Sequence, residues 1–190
     1  MSEIKYSNTA ATPNSVNVSP QIIALTPDFA QGAGRNNRIA NAIKYKRMVM
    51  RMNIWAVAAQ QNANSVAQLR VILFQPRLPF STPNPLVSDI LDTANFLSPV
   101  NAQKARTLYD KQVNLSVWGN NSMASFQLSP MFSKKIRRPI NNNVAFRDGA
   151  QVTPLDIKDQ YYLLVFPSSA IVNDYTVNVQ YYFRISYTDL

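Results

Sequence analysis

The sequence predicts an all-β protein: an eight-stranded antiparallel jelly-roll sandwich with one short helix in a strand connection. Long runs in which apolar and polar residues alternate, and the turn signals that separate them, predict this fold. In the clearest run, 175–187, every second residue is Tyr, Val, Phe or Ile. A strand of that length with one apolar face and one polar face indicates an antiparallel sheet that covers a core. Strands do not alternate with long helices, and about eight strands favour the jelly roll.

The chain begins with 19 residues that mix small polar residues with Pro and show no period, which predicts a flexible N-terminal arm over 1–19. Residues 20–190 are predicted to form the folded domain. A short strand is expected at Ile22–Leu25, after which the alternating pattern continues. The further strands are predicted within 43–58, 67–73, 112–118, 123–128, 144–146, 151–153, 161–166 and 175–187.

The connections carry their own signals. Asp148-Gly149 predicts a type I′ hairpin, and a turn at 119–122 is expected to join two strands. The run 161–166 is apolar on both faces, which predicts a central strand buried on both sides, and it is far too short to span a membrane. Asn84 as N-cap and Pro85 at the first helical position predict a helix whose apolar residues lie between 86 and 97.

The composition argues against an enzyme. The chain has no Cys, no His, four Gly and a single Glu, Glu3. The usual general base, thiol nucleophile and soft metal ligands are therefore missing, and no nucleotide-binding glycine loop can be built. We expect no catalytic activity. A net charge of +9 instead suggests a polyanionic partner, a nucleic acid or an anionic membrane.

Four segments resemble a known family. The stretch Gln31-Gly32…Arg38-Ile39-Ala40-Asn41-Ala42-Ile43-Lys44 before a long strand resembles the start of the jelly roll in coat proteins of small single-stranded viruses. The segments 85–98 and 103–111 and the ending Tyr187-Thr188-Asp189 are similar to satellite tobacco necrosis virus-like capsid proteins, which also occur in circular Rep-encoding single-stranded DNA viruses. The resemblance covers residues 20 to 190.

This resemblance implies a viral capsid protein that assembles with itself into a T=1 icosahedral shell of about 60 copies. It implies that the shell packages a single-stranded genome, DNA more than RNA, and that the protein resides in the virion after assembly inside the host cell. No membrane partner is expected, and the host receptor is unknown. The family's arm is usually rich in Arg and Lys, whereas residues 1–34 here hold one basic residue, Lys5. An alternative is a cationic jelly-roll binding module, either lectin-like or resembling a trimeric ligand.

Given the family, basic residues are the predicted nucleic-acid contacts. The apolar residues fall at odd positions up to Tyr45 and at even positions from Met48, and a β-bulge near Lys46–Arg47 would keep both sets in the core. The bulge would also bring cations together on the face opposite the core. Alternation would split the dense run 134–138 between two faces. Lys104 and Arg106 have a rival interpretation, an ion pair with Asp89, Asp92 or Asp110, and stacking of bases on Trp55, Trp118 or Tyr side chains is a minor option. The predicted nucleic-acid-binding residues are Arg35, Arg38, Lys44, Lys46, Arg47, Arg51, Lys104 and Arg106.

One metal site is implied by the resemblance alone. In the satellite-virus relatives an Asp matching Asp189 helps to bind calcium at a subunit junction, with backbone oxygens that would come from Ile39 and Ala42 here. The acidic pair of the relatives is replaced by Ala33-Gly34. Otherwise no cofactor is expected.

Overall fold

The computed structural model describes residues 3–16, 19–58, 64–82, 85–118, 131–168 and 175–190. Within these ranges the chain forms eight strands and two short 3₁₀ turns, Val87–Asp89 and Ile157–Asp159. No helix in the described ranges is long and apolar enough to cross a membrane. The strands are β1 (Lys5–Val16), β2 (Gln21–Ala24), β3 (Ala42–Ala58), β4 (Asn64–Pro76), β5 (Ala105–Trp118), β6 (Phe132–Ala145), β7 (Tyr162–Pro167) and β8 (Tyr175–Asp189).

The strands form two four-stranded antiparallel sheets. Sheet one has the order β1-β8-β3-β6, and sheet two has the order β2-β7-β4-β5. The first strand thus pairs with the eighth, the second with the seventh, the third with the sixth and the fourth with the fifth. A long hairpin rolled up into a sandwich produces this pairing, so the predicted jelly roll is confirmed.

The main core lies between the two sheets and follows the predicted alternation. Ile43 and Tyr45 point inward before residue 46, and Met48, Met50 and Met52 do so after it. The register of β3 shifts between Tyr45 and Arg47 against both neighbouring strands, which confirms the predicted β-bulge. The bulge keeps apolar residues in the core on both sides of one extra residue.

A second apolar cluster covers the outer face of sheet two. Every residue of β7 is buried, as predicted for a central strand enclosed on both sides. Residues from the connection between β4 and β5, including Ile90, Leu91 and Phe96, pack on this outer face. The connection is not the predicted helix over 86–97: it forms one 3₁₀ turn at Val87–Asp89 and then irregular turns. Asn84, the predicted N-cap, lies outside the described residues.

The first strand corrects the prediction of a flexible arm. Lys5–Val16 pair with β8 along the edge of sheet one, although their sequence has no apolar period. An edge strand is held by main-chain hydrogen bonds to one neighbour, and those bonds require no side-chain pattern. Composition alone therefore could not reveal this strand.

Strand β6 extends the short strand predicted at 144–146 back to Phe132. It contains a Pro and three successive Asn, and it is the other edge of sheet one. Pro139 is tolerated there because it lies opposite Arg47 at the bulge, in a strand with one free side. The predicted turn at 119–122 and strand at 123–128 lie outside the described residues.

The hairpin predicted at Asp148-Gly149 is a loop. Residues 151–153 form no strand, and the Asp148 side chain instead accepts hydrogen bonds from the N–H groups of Ala150 and Gln151. The loop wraps around a buried guanidinium, which is described with the site. That tertiary contact outweighs the local turn preference.

Candidate nucleic-acid interface

The positive charge of the chain is concentrated in sheet one. Its strands carry ten Lys and Arg, one in β1, four in β3, four in β6 and one in β8, and a single carboxylate, Asp189. The strands of sheet two carry three Lys and Arg and one Asp. The difference between cations and carboxylates is therefore nine in sheet one and two in sheet two. Two similar layers thus differ strongly in charge.

Strand register brings five of these cations together on the outer face of sheet one. Arg51 lies opposite Lys135 on β6, and Val49 lies between Arg137 on β6 and Arg184 on β8. Residues directly opposite in antiparallel strands share a face, and successive rows on one face are about 7 Å apart. Arg47 adds the next row along β3. We call this surface the cationic face; its members are Arg47, Arg51, Lys135, Arg137 and Arg184.

A shallow groove of about 340 Å³ runs over the cationic face and is lined by Val49, Arg51, Arg137, Tyr182 and Arg184. Arg184 is held in place, since its Nε donates a hydrogen bond of 2.7 Å to the hydroxyl of Tyr182. Its guanidinium also lies 4.6 Å from the ring centroid of Tyr6 on β1. The fixed guanidinium presents its remaining N–H groups at a defined position.

The cations of this face repel one another. Coulombic repulsion from Arg137, with smaller contributions from desolvation and from Arg51, lowers the pKa of Lys135. No ion pair with a carboxylate is formed by any member of the cationic face in the described part of the chain. Binding of a polyanion would relieve this repulsion, and rows of cations along a strand suit a phosphate backbone.

The basic run 134–138 is split between two faces, as predicted. Lys134 turns towards β5, where its ammonium lies 5.9 Å from the ring centroid of Tyr109. Arg138 also reaches β5 and donates a hydrogen bond of 3.0 Å to the carbonyl of Leu108. Sequence reasoning treated the split as evidence against one patch. It missed that the other half, Lys135 and Arg137, joins the cations of β3.

Of the predicted residues in β3, Arg47 and Arg51 are exposed members of the cationic face. Lys46 is the exposed residue at the bulge, beside this face. Lys44 is half-buried and lines a different groove, between the edges of the two sheets. Arg35 is exposed in the turn before β3, outside the groove of the cationic face.

Arg38 corrects the prediction of nucleic-acid contact, because its side chain is fully buried. Its guanidinium donates to the carbonyls of Phe29 (3.0 Å) and Ala40 (2.8 Å). On the 147–151 loop it donates to three further carbonyls, those of Asp148, Gly149 and Gln151, at 2.8, 3.3 and 2.6 Å. It also stacks at 4.2 Å over the ring of Phe146. Arg38 therefore ties the β2–β3 connection to the β6–β7 connection at one end of the sandwich.

The glycine-containing stretch before Arg38 forms a turn. Gly32 has φ of 145°, a conformation that residues with a side chain rarely adopt. Its N–H donates to the carbonyl of Arg38 at 3.1 Å, which closes the turn. The turn delivers the Arg38 side chain into the interior.

Lys104 and Arg106 lie on the side of sheet two and do not reach the cationic face. The ammonium of Lys104 donates a hydrogen bond of 2.8 Å to the carbonyl of Ser88 in the β4–β5 connection. Neither residue pairs with Asp110, which forms a two-pronged ion pair with Arg70 at 2.6 and 2.9 Å. Arg106 remains exposed and lines the same groove as Lys44.

Arg70 alternates with the apolar residues of β4, yet it is only 7% exposed. Besides its pair with Asp110, it donates to the carbonyls of Phe96 and Ser98 at 2.8 and 2.6 Å. The β4–β5 connection covers Arg70, so its burial could not be read from the alternation of one strand.

Asp189 makes contacts that do not fit the expected calcium site. One carboxylate oxygen lies 2.6 Å from the ammonium of Lys5, and the other accepts the N–H of Ile39 at 2.9 Å. Ile39 thus turns its N–H to the carboxylate, whereas calcium would need its oxygen, which accepts from Gln31. Burial alone would raise the pKa of Asp189, but hydrogen bonds from Lys5 and Ile39 hold it below its usual value. No three possible His, Cys, Asp or Glu ligands meet within the described ranges.

The aromatic residues divide between core and surface. Tyr181 and Tyr187 of the alternating last strand are buried, as expected for core residues. Trp55 is half-buried on the outward side of β3, and Trp118 has no described side chain. Tyr6 and Tyr182 lie beside Arg184 of the cationic face, with ring centroids 4.6 and 5.3 Å from its guanidinium.

No protein-family model matches the sequence, and no curated protein is significantly similar to it. Among solved structures, the chain is similar to the naturally occurring empty particles of Cowpea mosaic virus (top component), with a TM-score of 0.38 and 12% identity over 95% of this chain and 85% of that chain. The chain is also similar to an empty virus-like particle of the same virus, with a TM-score of 0.38 and 14% identity over 100% of this chain and 86% of that chain. A third similar structure is the 60-mer BFDV capsid protein, with a TM-score of 0.37 and 10% identity over 99% of this chain and 94% of that chain.

Proposed function

We propose that the chain is a viral capsid subunit that assembles with itself into a closed shell and contacts a single-stranded genome through the cationic face. The observation that carries the proposal is the concentration of the excess charge in one sheet, where Arg51, Lys135, Arg137 and Arg184 converge without a carboxylate partner among the described residues. The resemblance of segments 85–98 and 103–111 to capsid proteins supports the same function. A T=1 shell of 60 copies and a DNA genome belong to this proposal.

The orientation of the subunit follows from the charge. The cationic face would line the inside of the shell, where phosphates are concentrated, and sheet two would lie farther out beneath its β4–β5 connection. Contacts with phosphates are independent of base sequence, so packaging would depend on charge and volume. Tyr6 and Tyr182 stand beside Arg184 and could stack on unpaired bases.

The test compares two triple variants that remove the same charge. The face variant is R51Q/K135Q/R137Q, and its matched control is R35Q/K111Q/R147Q, whose three cations are all exposed and lie off the cationic face. Binding of a single-stranded oligonucleotide is measured as a function of salt. Each lost phosphate contact reduces the magnitude of the slope of log K against log salt by about 0.7. The slope of the face variant should therefore be smaller in magnitude by about 2, and that of the control should hardly change.

Electron microscopy and the nucleic-acid content of purified particles complete the test. The wild-type protein and the control should form closed shells that contain nuclease-protected nucleic acid, and the face variant should form shells with less. Discrete trimers or monomers would favour the alternative of a cationic binding module. Face-variant shells as full as those of the wild type would refute the role of the cationic face.

A further inference from the structure

A second cationic concavity lies away from the cationic face. It is a groove of about 690 Å³ between the edges of the two sheets, a volume typical of small-molecule sites. Lys44 of β3 and Asn142 of β6 contribute from sheet one, and Arg106 of β5 contributes from sheet two. Arg77 after β4 and Lys158 in the second 3₁₀ turn complete its cationic lining. We call it the edge groove.

Most cations of the edge groove have no carboxylate partner. Lys44, Arg77 and Arg106 form no ion pair in the described part of the chain, and Lys158 pairs with Asp156 at 2.7 Å in an exposed contact. Like charges around one concavity are unfavourable in the absence of an anion. A concave wall also focuses their potential, which raises the local concentration of anions.

One carboxylate faces these cations. Asp159 also lines the edge groove and is only 6% exposed. Burial, together with repulsion from Asp156, raises the pKa of Asp159 to about 6. At neutral pH its remaining negative charge opposes the binding of an anion in the groove.

We propose that the edge groove binds a small polyphosphate, meaning a chain of linked phosphates that is either free or part of a nucleotide. Two guanidinium groups suit this chemistry, because the planar fork of Arg binds phosphate oxygens in pairs. Lys44 and Lys158 supply point charges, and the side-chain amide of Asn142 supplies neutral donors. This site is separate from the cationic face and does not depend on the capsid function.

Inorganic triphosphate is the probe, titrated into the full-length protein by calorimetry at pH 7.5 and low salt. Saturable binding is expected, with about a tenfold or greater loss of affinity in R106Q and in R77Q. The matched control is R137Q, which removes the same charge from the cationic face and should change the affinity by less than about twofold. Asp159→Asn removes the opposing charge and should tighten binding by about threefold or more.

Two competing ligands, ATP and oligothymidylate, show which class of phosphate compound the edge groove binds. ATP that binds as tightly as triphosphate indicates recognition of the phosphate chain alone, and tighter binding of ATP indicates a nucleotide. Absence of triphosphate binding, or an equal loss in R137Q and R106Q, would overturn the proposal. Full displacement of triphosphate by oligothymidylate, with R106Q weakening both ligands, would instead assign the groove to nucleic acid.

Discussion

Replacement of Arg38 should destabilise the fold strongly. The guanidinium is fully buried and donates to five backbone carbonyls and to the Asn41 side chain. Arg38→Met keeps most of the side-chain stem and removes all of these donors. The bond to Phe29 is fully buried, and the bonds to the 147–151 loop are partly buried, so water can replace some of the lost donors there. Since a buried acceptor left without a partner costs about 1–3 kcal/mol and a partly buried one costs less, we expect a total loss of about 3–5 kcal/mol.

That loss is a large fraction of the stability of a domain, which is typically about 5–15 kcal/mol. For a domain of this length it corresponds to a decrease in Tm of roughly 10 °C. The assay is urea denaturation followed by tryptophan fluorescence, with thermal melting as a second measurement. Arg35→Met, an exposed neighbour in the same loop, is the control and should change the free energy of unfolding by less than about 0.5 kcal/mol.

Arg38→Lys separates structure from charge. It keeps the positive charge but loses the planar fork, so its stability should fall between that of the wild type and that of Arg38→Met. Nucleic-acid affinity and its salt dependence should stay unchanged wherever the variant is folded. An Arg38→Met protein within about 1 kcal/mol of the wild type, with weaker nucleic-acid binding, would refute the structural role and restore the contact predicted from sequence.

Two further substitutions test other buried charges. Arg70→Met breaks the pair with Asp110 and should cost about 2–4 kcal/mol in urea denaturation, against little change for exposed Lys111→Met; a loss below about 1 kcal/mol would contradict the structural role. The pKa of Asp159 is raised to about 6 in the folded state, so its stabilising contribution is present below about pH 4 and is lost as the pH rises through 6. Asp159→Asn should therefore be more stable than the wild type at pH 7.5, by roughly 1–2 kcal/mol, and similar to it at pH 4; an advantage that does not depend on pH would point to a different cause.

The reliable predictions from sequence were those that depended on alternation over a long run. The paired faces of β3 and β8, the burial of β7 and the bulge before Arg47 all follow from which residues must avoid water. The edge strand β1 and the extension of β6 were missed. An edge strand forms main-chain hydrogen bonds to a neighbour on one side only, and its apolar and polar side chains need not alternate.

The helix expected over 86–97 failed for a related reason. The apolar residues of this connection have helical spacing, but they are used to cover the outer face of sheet two from irregular turns. Asp89 accepts the N–H of Leu86 at 2.9 Å and so closes the single 3₁₀ turn. The same apolar residues are thus buried without forming a helix. The surface of sheet two on which they pack determines their conformation.

The candidate site was only partly predictable. Arg47 and Arg51 were identified from the sequence, but Lys135, Arg137 and Arg184 join them only through strand pairing across more than 80 residues. Arg38 looked like its basic neighbours in the sequence. Only the closure of loops around its guanidinium distinguishes a structural cation from an exposed one.

The sequence by itself determined the fold class, the excess of positive charge and the absence of the side chains on which most enzymes depend. Those properties are local or compositional, since each follows from residue types and their spacing along the chain. The tertiary structure decided where the charge lies: on one face of sheet one, in the edge groove, or buried within loops. That decision required strand register and loop packing, because burial and pairing join residues that are far apart in the chain.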